Sequence, residues 1–224
     1  SQAVGAVLAH SLYVQSGANA TSYRIAKGTV LTAEHTKDLL ADQQTDIVVA
    51  RLENGDVEEN EAATRLAAAV APDAAQFGVR ISAAGAGRVN LYSIEAGVVE
   101  IDEAAVMALN AVDPMITMAT VPQFHRTDSN GMIATIKIIA YSVLQSSLSQ
   151  AANVAANAIR IATPQYRTAA LIETQVGDEM PSFKGRDAMR GRLDRFGVEL
   201  LERTVVPHNE AAITTALSES EGEF

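Results

Sequence analysis

Apolar residues along this chain alternate between the two-residue repeat of strands and the three-to-four-residue repeat of helices. The clearest helical pattern lies at 63–70, after the turn Asn54-Gly55-Asp56, and it stops before Pro72. Asp56 is predicted to be the N-cap of this helix, because Glu59 follows three residues later and completes a capping-box pattern.

The same periodicities predict further helices and a larger number of short strands. Thr32, Asp102 and Asn209 are predicted N-caps, so helices are expected at 33–42, at 103–110 and after residue 209. Two further helices are expected at 145–157 and around Met189 to Phe196. Strands are expected at 6–14, 23–31, 45–52, 79–81, 88–94, 98–101, 115–120, 132–143, 168–174 and 198–206. The 98–101 strand is predicted to pair with 88–94 as an antiparallel hairpin.

The order of these elements divides the chain near Pro164. Residues 1–163 are predicted to form an α+β domain with mixed or antiparallel strands. Residues 166–224 have the predicted order β-α-β-α, which is typical of the first part of a parallel α/β domain. Two strands cannot cover the helices of such a sheet, so we expect this second domain to be truncated.

Charge and composition narrow the range of partners. The formal net charge is -10, from 17 basic and 27 acidic side chains, so neither nucleic acid nor an anionic membrane surface is expected as a partner. A small anionic ligand stays compatible, because local Arg, Lys and backbone N–H groups can hold one. The chain has no cysteine, which excludes disulfides and zinc-thiolate sites and fits a cytoplasmic location.

Four carboxylates cluster at the predicted helix start: Asp56, Glu58, Glu59 and Glu61. Clustered carboxylates can raise one another's pKa and act as acid or base, or they can hold Mg²⁺. Capping accounts for Asp56 and Glu59, and helical spacing turns the other two toward solvent. A capped, solvated helix start is therefore the first interpretation, and a ligand or Mg²⁺ site is the second.

Arg88 and Asn90 form a second candidate site, because strand alternation puts both on one face. They lie beside the flexible stretch Gly85 to Gly87, where they can hold a phosphate or the ring of a small ligand. The alternative is a sheet face that is merely polar.

Lys137 lies inside an apolar strand. A buried lysine needs an anion nearby, or its pKa shifts. We expect an ion pair with Glu100 or Asp113 first, and a ligand phosphate as the alternative.

Asp178 and Glu179 follow Gly177 between a strand and a helix. This is the carboxyl edge of an α/β sheet, where ligands bind. A carboxylate there can hold Mg²⁺ or an amino group of a ligand, although an ordinary loop explains the segment equally well. The four histidines have no spacing typical of a metal pair or a catalytic triad.

Several short motifs follow one another in an order that resembles molybdopterin-binding proteins. They are Arg51–Glu61, Gly87–Leu91, Leu109–Asp113 with Ile116–Thr120, and Thr135–Ile139. The later part resembles the first β-α-β-α of the MoeA/MogA fold, a three-layer α/β domain, through Ala170–Thr174, Gly177–Glu179, Gly197–Leu200 and Val205–Asn209. N-terminal regions of this type are sometimes fused to a MobA-like nucleotidyltransferase.

The resemblance implies that the chain binds molybdopterin or a derivative during molybdenum cofactor biosynthesis, as a non-autonomous part of a larger cytoplasmic protein. It also implies that Asp56 and Glu59 line a shared site beside Arg51, with Mg²⁺ as a candidate ion. The family's Gly-rich stretch is not reached before Phe224, and Ala140 stands where the family has Pro, so this chain is not expected to be catalytic alone.

Two other functions stay open from the sequence. One is a structural or oligomerisation module without its own ligand, in which case a homodimer is the partner to test. The other is a Mg²⁺-dependent enzyme that uses the carboxylates at 56–61.

Overall fold

The computed structural model describes residues 2–16 and 21–220. The helices in these ranges are α1 (Ala33–Ala41), α2 (Glu59–Val70), α3 (Glu103–Asn110), α4 (Gln145–Val154), α5 (Lys184–Leu193) and α6 (Glu210–Glu219). The strands are β1 (Val7–Leu8), β2 (Leu12–Ser16), β3 (Thr21–Ile25), β4 (Val49–Ala50), β5 (Asp56–Glu58), β6 (Val79–Ile81), β7 (Arg88–Ser93), β8 (Gly97–Ile101), β9 (Ile116–Thr120), β10 (Arg126–Thr127), β11 (Met132–Ile138), β12 (Ser142–Leu144), β13 (Ile159–Ala162), β14 (Thr168–Gln175) and β15 (Glu199–Pro207).

Most of the strands pair antiparallel. The central sheet has the order β6-β7-β11-β9, and a three-stranded sheet has the order β10-β8-β13. The pairs β1-β4, β2-β3 and β12-β5 are antiparallel, whereas β14-β15 is parallel. The predicted α+β class with antiparallel strands is therefore confirmed, while the division into two domains stays a prediction.

The main core lies between one face of the central sheet and α2. Alternate residues of β7 and β11 point into it, including Val89, Leu91, Ile136 and Ile138, and all four are fully buried. Leu66 of α2 packs into the same cluster. Burying each such side chain contributes about 1.5–3 kcal/mol, so the two-residue and helical repeats of the sequence are explained by one shared core.

The N-terminal unit, residues 2–16 and 21–51, has a small core of its own. Leu8, Val14, Ile25, Leu31 and Leu39 are buried together between α1 and the short strand pairs. The predicted strand at 6–14 is broken into β1 and β2, and the one predicted at 45–52 is reduced to β4. The predicted N-cap of α1 is confirmed, since the threonine at position 32 accepts a hydrogen bond from the backbone N–H three residues later.

One predicted strand partner is wrong. β8 does not pair with β7, because both edges of β7 are occupied by β6 and β11. Instead β8 pairs with β10 and β13, with Ile101 opposite Ile159. The predicted long strand at 132–143 is likewise divided into β11 and β12, and the backbone N–H of Ile139 binds the carbonyl of Met115 between them.

Residues 168–219 follow the predicted order β14, α5, β15, α6, with the two strands parallel. Asn209 is the N-cap of α6, as predicted, and its Oδ1 accepts a hydrogen bond from the backbone N–H of Ala212 at 2.9 Å. Within the described ranges, none of the helices combines the length and apolar character needed to cross a bilayer.

Candidate functional site

The start of α2 differs from the predicted capping box. Asp56 lies in β5, opposite Leu144, and its carboxylate accepts the backbone N–H of Glu53 at 2.9 Å. The N-cap is Glu58, whose carboxylate accepts backbone N–H groups of the first helical turn at 2.8 and 3.1 Å. The prediction placed the helix start too early because residues 56–58 pair with β12 as a strand. Glu59 therefore does not take part in capping the helix.

Glu59 is the first residue of α2, and only 2% of its side chain is exposed. Neither carboxylate oxygen receives a hydrogen bond from any residue in the described ranges. Its backbone N–H is bound by the carbonyl of Tyr141 at 3.0 Å, which holds the residue at this position. A buried carboxylate without hydrogen bonds is costly unless positive charge lies nearby.

Lys27 provides one of these positive charges from the N-terminal unit. Its Nζ lies 3.8 Å from Oε1 of Glu59, and 35% of its side chain is exposed. The same Nζ lies 4.9 Å from the ring centroid of Tyr141, and the hydroxyl of Tyr141 donates to the carbonyl of Ala9 at 3.0 Å. These contacts fix a solvent-reachable ammonium group beside the buried carboxylate.

Gly87 lets the backbone approach this charged group closely. Its φ is +69°, and a Cβ placed on it would lie 2.7 Å from the carbonyl oxygen of Ile138 and 2.9 Å from Oε2 of Glu59. Its backbone N–H donates to Oδ1 of Asn60 at 2.9 Å. A residue with a side chain cannot take this position without moving its neighbours, so the segment 85–87 fits against α2 only with glycine here.

Lys137 approaches the same point from the end of β11. Its Nζ lies 3.1 Å from the position that a Cβ on Gly87 would take, and it donates to the carbonyl of Ala86. Burial lowers the pKa of Lys137 from 10.5, and the nearby cations Lys27 and Arg88 lower it further. The carboxylate of Glu59 acts in the opposite direction and raises this pKa.

The predicted partners of Lys137 are wrong. Glu100 pairs with Arg160 instead, and the carboxylate of Asp113 accepts the backbone N–H of Met115 at 2.9 Å. The carboxylate near Lys137 is that of Glu59, because its Oε2 and the Lys137 Nζ lie 2.9 and 3.1 Å from the position that a Cβ on Gly87 would take. Sequence spacing could not identify this pair, because the two residues come together only when α2 packs on the sheet.

Arg88 and Asn90 share one face of β7, as strand alternation predicted. Arg88 lies directly opposite Lys137 on β11 and is exposed. Asn90 lies opposite Thr135, whose hydroxyl donates to Oδ1 of Asn90 at 2.8 Å. This face of the sheet therefore carries two cations at one end and a hydrogen-bonded polar pair in the middle.

Together, Lys27, Glu59, Arg88 and Lys137 form what we call the cationic cluster. It contains three cationic side chains and one carboxylate, in a chain whose formal net charge is -10. The carboxylate is buried, while Lys27 and Arg88 reach solvent. The cluster can therefore bind an anion through its cations, with Glu59 holding the lysines in place.

The remaining predicted site residues lie outside the cationic cluster. Arg51 is exposed and lines a cavity of about 310 Å³ in the N-terminal unit, together with Leu39 and Leu40. Within the described ranges no hydrogen bond or ion pair joins Arg51 to Asp56 or Glu59. The predicted shared site beside Arg51 is thus not formed by direct contact.

Asp178 and Glu179 are exposed in the loop after β14. Among the residues that the structure describes, no three His, Cys, Asp or Glu side chains are placed to hold a metal ion. The carboxylates at 56–61 are likewise not grouped around one point. Asp56 lies in β5, Glu58 caps α2, Glu59 is buried and Glu61 is exposed.

Lys27, Asn60 and Tyr141 were not identified as site residues from the sequence. Lys27 precedes a glycine and belongs to no charged motif, and Tyr141 follows an apolar run without any motif of its own. Their roles come from contacts between residues at least 27 positions apart in the sequence, which a local pattern does not contain.

Comparison with protein-family models, with curated proteins and with solved structures found no match. The resemblance to molybdopterin-binding proteins therefore rests on the sequence motifs alone.

Proposed function

We propose that this chain binds molybdopterin or a derivative of it, and that the cationic cluster holds the phosphate of this ligand. The observation that carries the proposal is the charge imbalance of the cluster. Lys27 and Lys137 lie beside one carboxylate that accepts no hydrogen bond from the described residues, and Arg88 lies opposite Lys137 on the neighbouring strand. A bound phosphate would balance the two cations that Glu59 leaves without a counter-charge.

The surroundings of the cluster suit a phosphate group. Arg88 offers a planar guanidinium that can donate two parallel hydrogen bonds, and Lys27 and Lys137 act as point charges. The close backbone approach at Gly87 leaves the segment 85–87 without bulky side chains. Glu59 is too deeply buried to contact a ligand, so we assign it the role of positioning the two lysines.

The polar face that continues along β7 suits the ring of the same ligand. Asn90 lies two residues beyond Arg88 on the same face, and Tyr92 follows it. Arg80 stacks on the ring of Tyr92, with its guanidinium carbon 4.4 Å from the ring centroid. Amide, hydroxyl and aromatic groups in one row can bind the edges and the flat face of a pterin.

The test is a titration of molybdopterin under anaerobic conditions, followed by pterin fluorescence. The chain contains no tryptophan, so protein emission interferes little. Lys27→Met and Lys137→Met should each weaken binding by roughly 10- to 100-fold, because each removes a charge-assisted contact. Lys37→Met, on the exposed side of α1, is the matched control and should bind as the unaltered protein does.

Two results would overturn the proposal. Equal affinity of all three lysine variants would place the ligand away from the cationic cluster. Absence of binding by the unaltered protein would reject molybdopterin as the ligand. In the second case inorganic pyrophosphate should be titrated, since binding of that probe would retain a phosphate site while rejecting the pterin.

A further inference from the structure

A second cavity, of about 490 Å³, lies against the sheet β10-β8-β13 and shares no lining residue with the cationic cluster. Phe77 and Phe124 line it together with the polar residues Glu100, Asp102, Gln123 and Asn157. Its volume falls within the range of small-molecule sites, and its combination of apolar walls with a few polar groups is typical of them.

The backbone of Phe124 is held in a conformation that a bulky residue rarely adopts. Its φ is +61°, and Asn157, which lines the same cavity, has the same value. The Phe124 N–H donates to the carbonyl of Val99 at 2.9 Å, and the Val99 N–H donates to the carbonyl of His125 at 2.8 Å. These two bonds fix the turn, so the strain at Phe124 is built into the fold.

The side chain of Phe124 gains little from this strain within the protein. The residue is 67% exposed, whereas Phe77, across the same cavity, is partly buried and packs on the main core. Strained left-handed residues cluster at ligand-binding sites, and an exposed aromatic ring is a stacking surface. The position of the ring is therefore explained if a flat molecule stacks on it.

The polar groups of the cavity indicate which flat molecule fits. Glu100 is paired with Arg160, which leaves the carboxylate of Asp102 as the uncompensated charge. Asp102 Oδ1 accepts the backbone N–H of Ala105 at 2.9 Å, and within the described residues nothing donates to its other oxygen. The side-chain amide of Asn157 is likewise without a hydrogen bond there. Beside the ion pair of Glu100 and Arg160, this wall therefore presents acceptors from Asp102 and Asn157, which suit a ligand with N–H donors.

We infer that this cavity binds a neutral, planar nitrogen heterocycle with an exocyclic amino group, which is the chemistry of a nucleobase. Its ring stacks on Phe124, and its amino group donates to Asp102. This site is independent of the proposed molybdopterin binding, because it involves a different sheet and needs no phosphate.

The first experiment measures adenosine binding to the full chain by saturation-transfer NMR and calorimetry. Phe124→Gly removes the ring but keeps the backbone, because glycine adopts positive φ without strain. We expect this variant to lose affinity roughly tenfold or more, the effect of removing one base-stacking side chain, while its Tm is unchanged or higher. Gln43→Gly, which relieves a φ of +58° in the N-terminal unit, should leave binding unaltered.

A second variant tests the amino-group contact. Asp102→Asn keeps a good N-cap for α3 but removes the carboxylate charge. It should weaken adenosine roughly tenfold, and it should leave purine riboside, which lacks the amino group, unaffected.

The inference is overturned if the unaltered protein binds no nucleoside, or if Phe124→Gly binds adenosine normally. A fall in the Tm of Phe124→Gly would show that the ring is structural and would also reject it. Self-association that disappears in Phe124→Gly would replace the small ligand with a second copy of the chain.

Discussion

Two ion pairs that join separate segments of this molecule differ in their surroundings. Arg203 of β15 and Glu173 of β14 are 12% and 16% exposed, and Nη1 of Arg203 lies 2.8 Å from Oε2 of Glu173. The same Nη1 donates to the carbonyl of Pro181 at 2.9 Å, and the guanidinium carbon lies 4.0 Å from the ring centroid of Phe183. Lys27 and Glu59 are 3.8 Å apart, and neither oxygen of Glu59 accepts a hydrogen bond from the described residues.

The difference shows what each pair is for. Arg203 has its charge balanced inside the protein, and its Nη1 donates both to Glu173 and to a backbone carbonyl. Removing either member of such a pair leaves a charge that is shielded from solvent and has no partner. The cationic cluster has more positive than negative charge and a carboxylate that serves no cap. An incomplete cluster of this kind is suited to a ligand that completes it. The five predictions below test this contrast between a structural pair and a binding cluster.

The largest effect is expected from Glu173→Ala, which would break the structural pair. Arg203 would be left shielded from solvent without a counter-charge, and this costs about 3 kcal/mol of the free energy of unfolding. Urea unfolding checks the value, with Glu199→Ala on the exposed side of β15 as control. A loss below about 1 kcal/mol would mean that Arg203 is solvated and that the contrast fails.

Gly87→Ala should have the second largest effect, because it disturbs the cationic cluster through the backbone. A positive φ costs a residue with a Cβ about 1–2 kcal/mol, and the crowding at Ile138 adds to this. Gly177→Ala, with φ +73° and nothing within 4 Å of its Cβ, isolates the cost of φ alone. Equal losses in the two variants would show that the cluster tolerates the added methyl group.

Glu58→Ala should cost about 1 kcal/mol of the free energy of unfolding, since it removes the N-cap of α2. Thermal unfolding checks this loss.

Glu59→Gln tests the neighbouring carboxylate, which does not cap the helix. It should lower the pKa of Lys137 further, because Glu59 is the group that raises it. An NMR titration of the Lys137 side chain checks this change in its pKa. A raised Lys137 pKa in Glu59→Gln would contradict the assigned role.

The smallest effect is expected from the titration of Lys137. Its pKa in the folded protein is lowered from 10.5, mainly by burial, so the unfolded chain holds this proton more tightly. Stability should therefore rise with pH between the lowered value and 10.5, and the penalty is complete below that window. Urea unfolding across this range, compared with Lys137→Met, measures the slope. If Lys137→Met leaves the slope of stability against pH unchanged, Lys137 is not the group that causes this pH dependence.

Local sequence signals predicted much of the fold. Thr32, Asp102 and Asn209 were each read as N-caps, and each accepts a hydrogen bond from the backbone N–H three residues later. Pro72 correctly marked the end of α2 at Val70. These signals succeed because a cap or a helix stop involves residues only a few positions apart.

The partner of β8 and the role of Glu59 could not be predicted in the same way. Alternation identifies a strand and its faces, but it does not specify which edge the strand joins. In the sequence, Asp56 and Glu59 match a capping-box pattern. In the structure, residues 56–58 pair with β12 as a strand, so the N-cap is Glu58. The face shared by Arg88 and Asn90 was predictable, whereas the partner of Lys137 depended on tertiary packing.

The wide separation of residues 27, 59, 88 and 137 along the chain links the cationic cluster to folding. No partly folded state that lacks the N-terminal unit or the central sheet can contain the cluster, so a ligand that binds it recognises only the complete native state. Such a ligand would stabilise that state by mass action, by about 2.7 kcal/mol at a hundred times its Kd. Ligand binding at the cationic cluster would thus couple the unfolding of the N-terminal unit to that of the central sheet in a single cooperative transition.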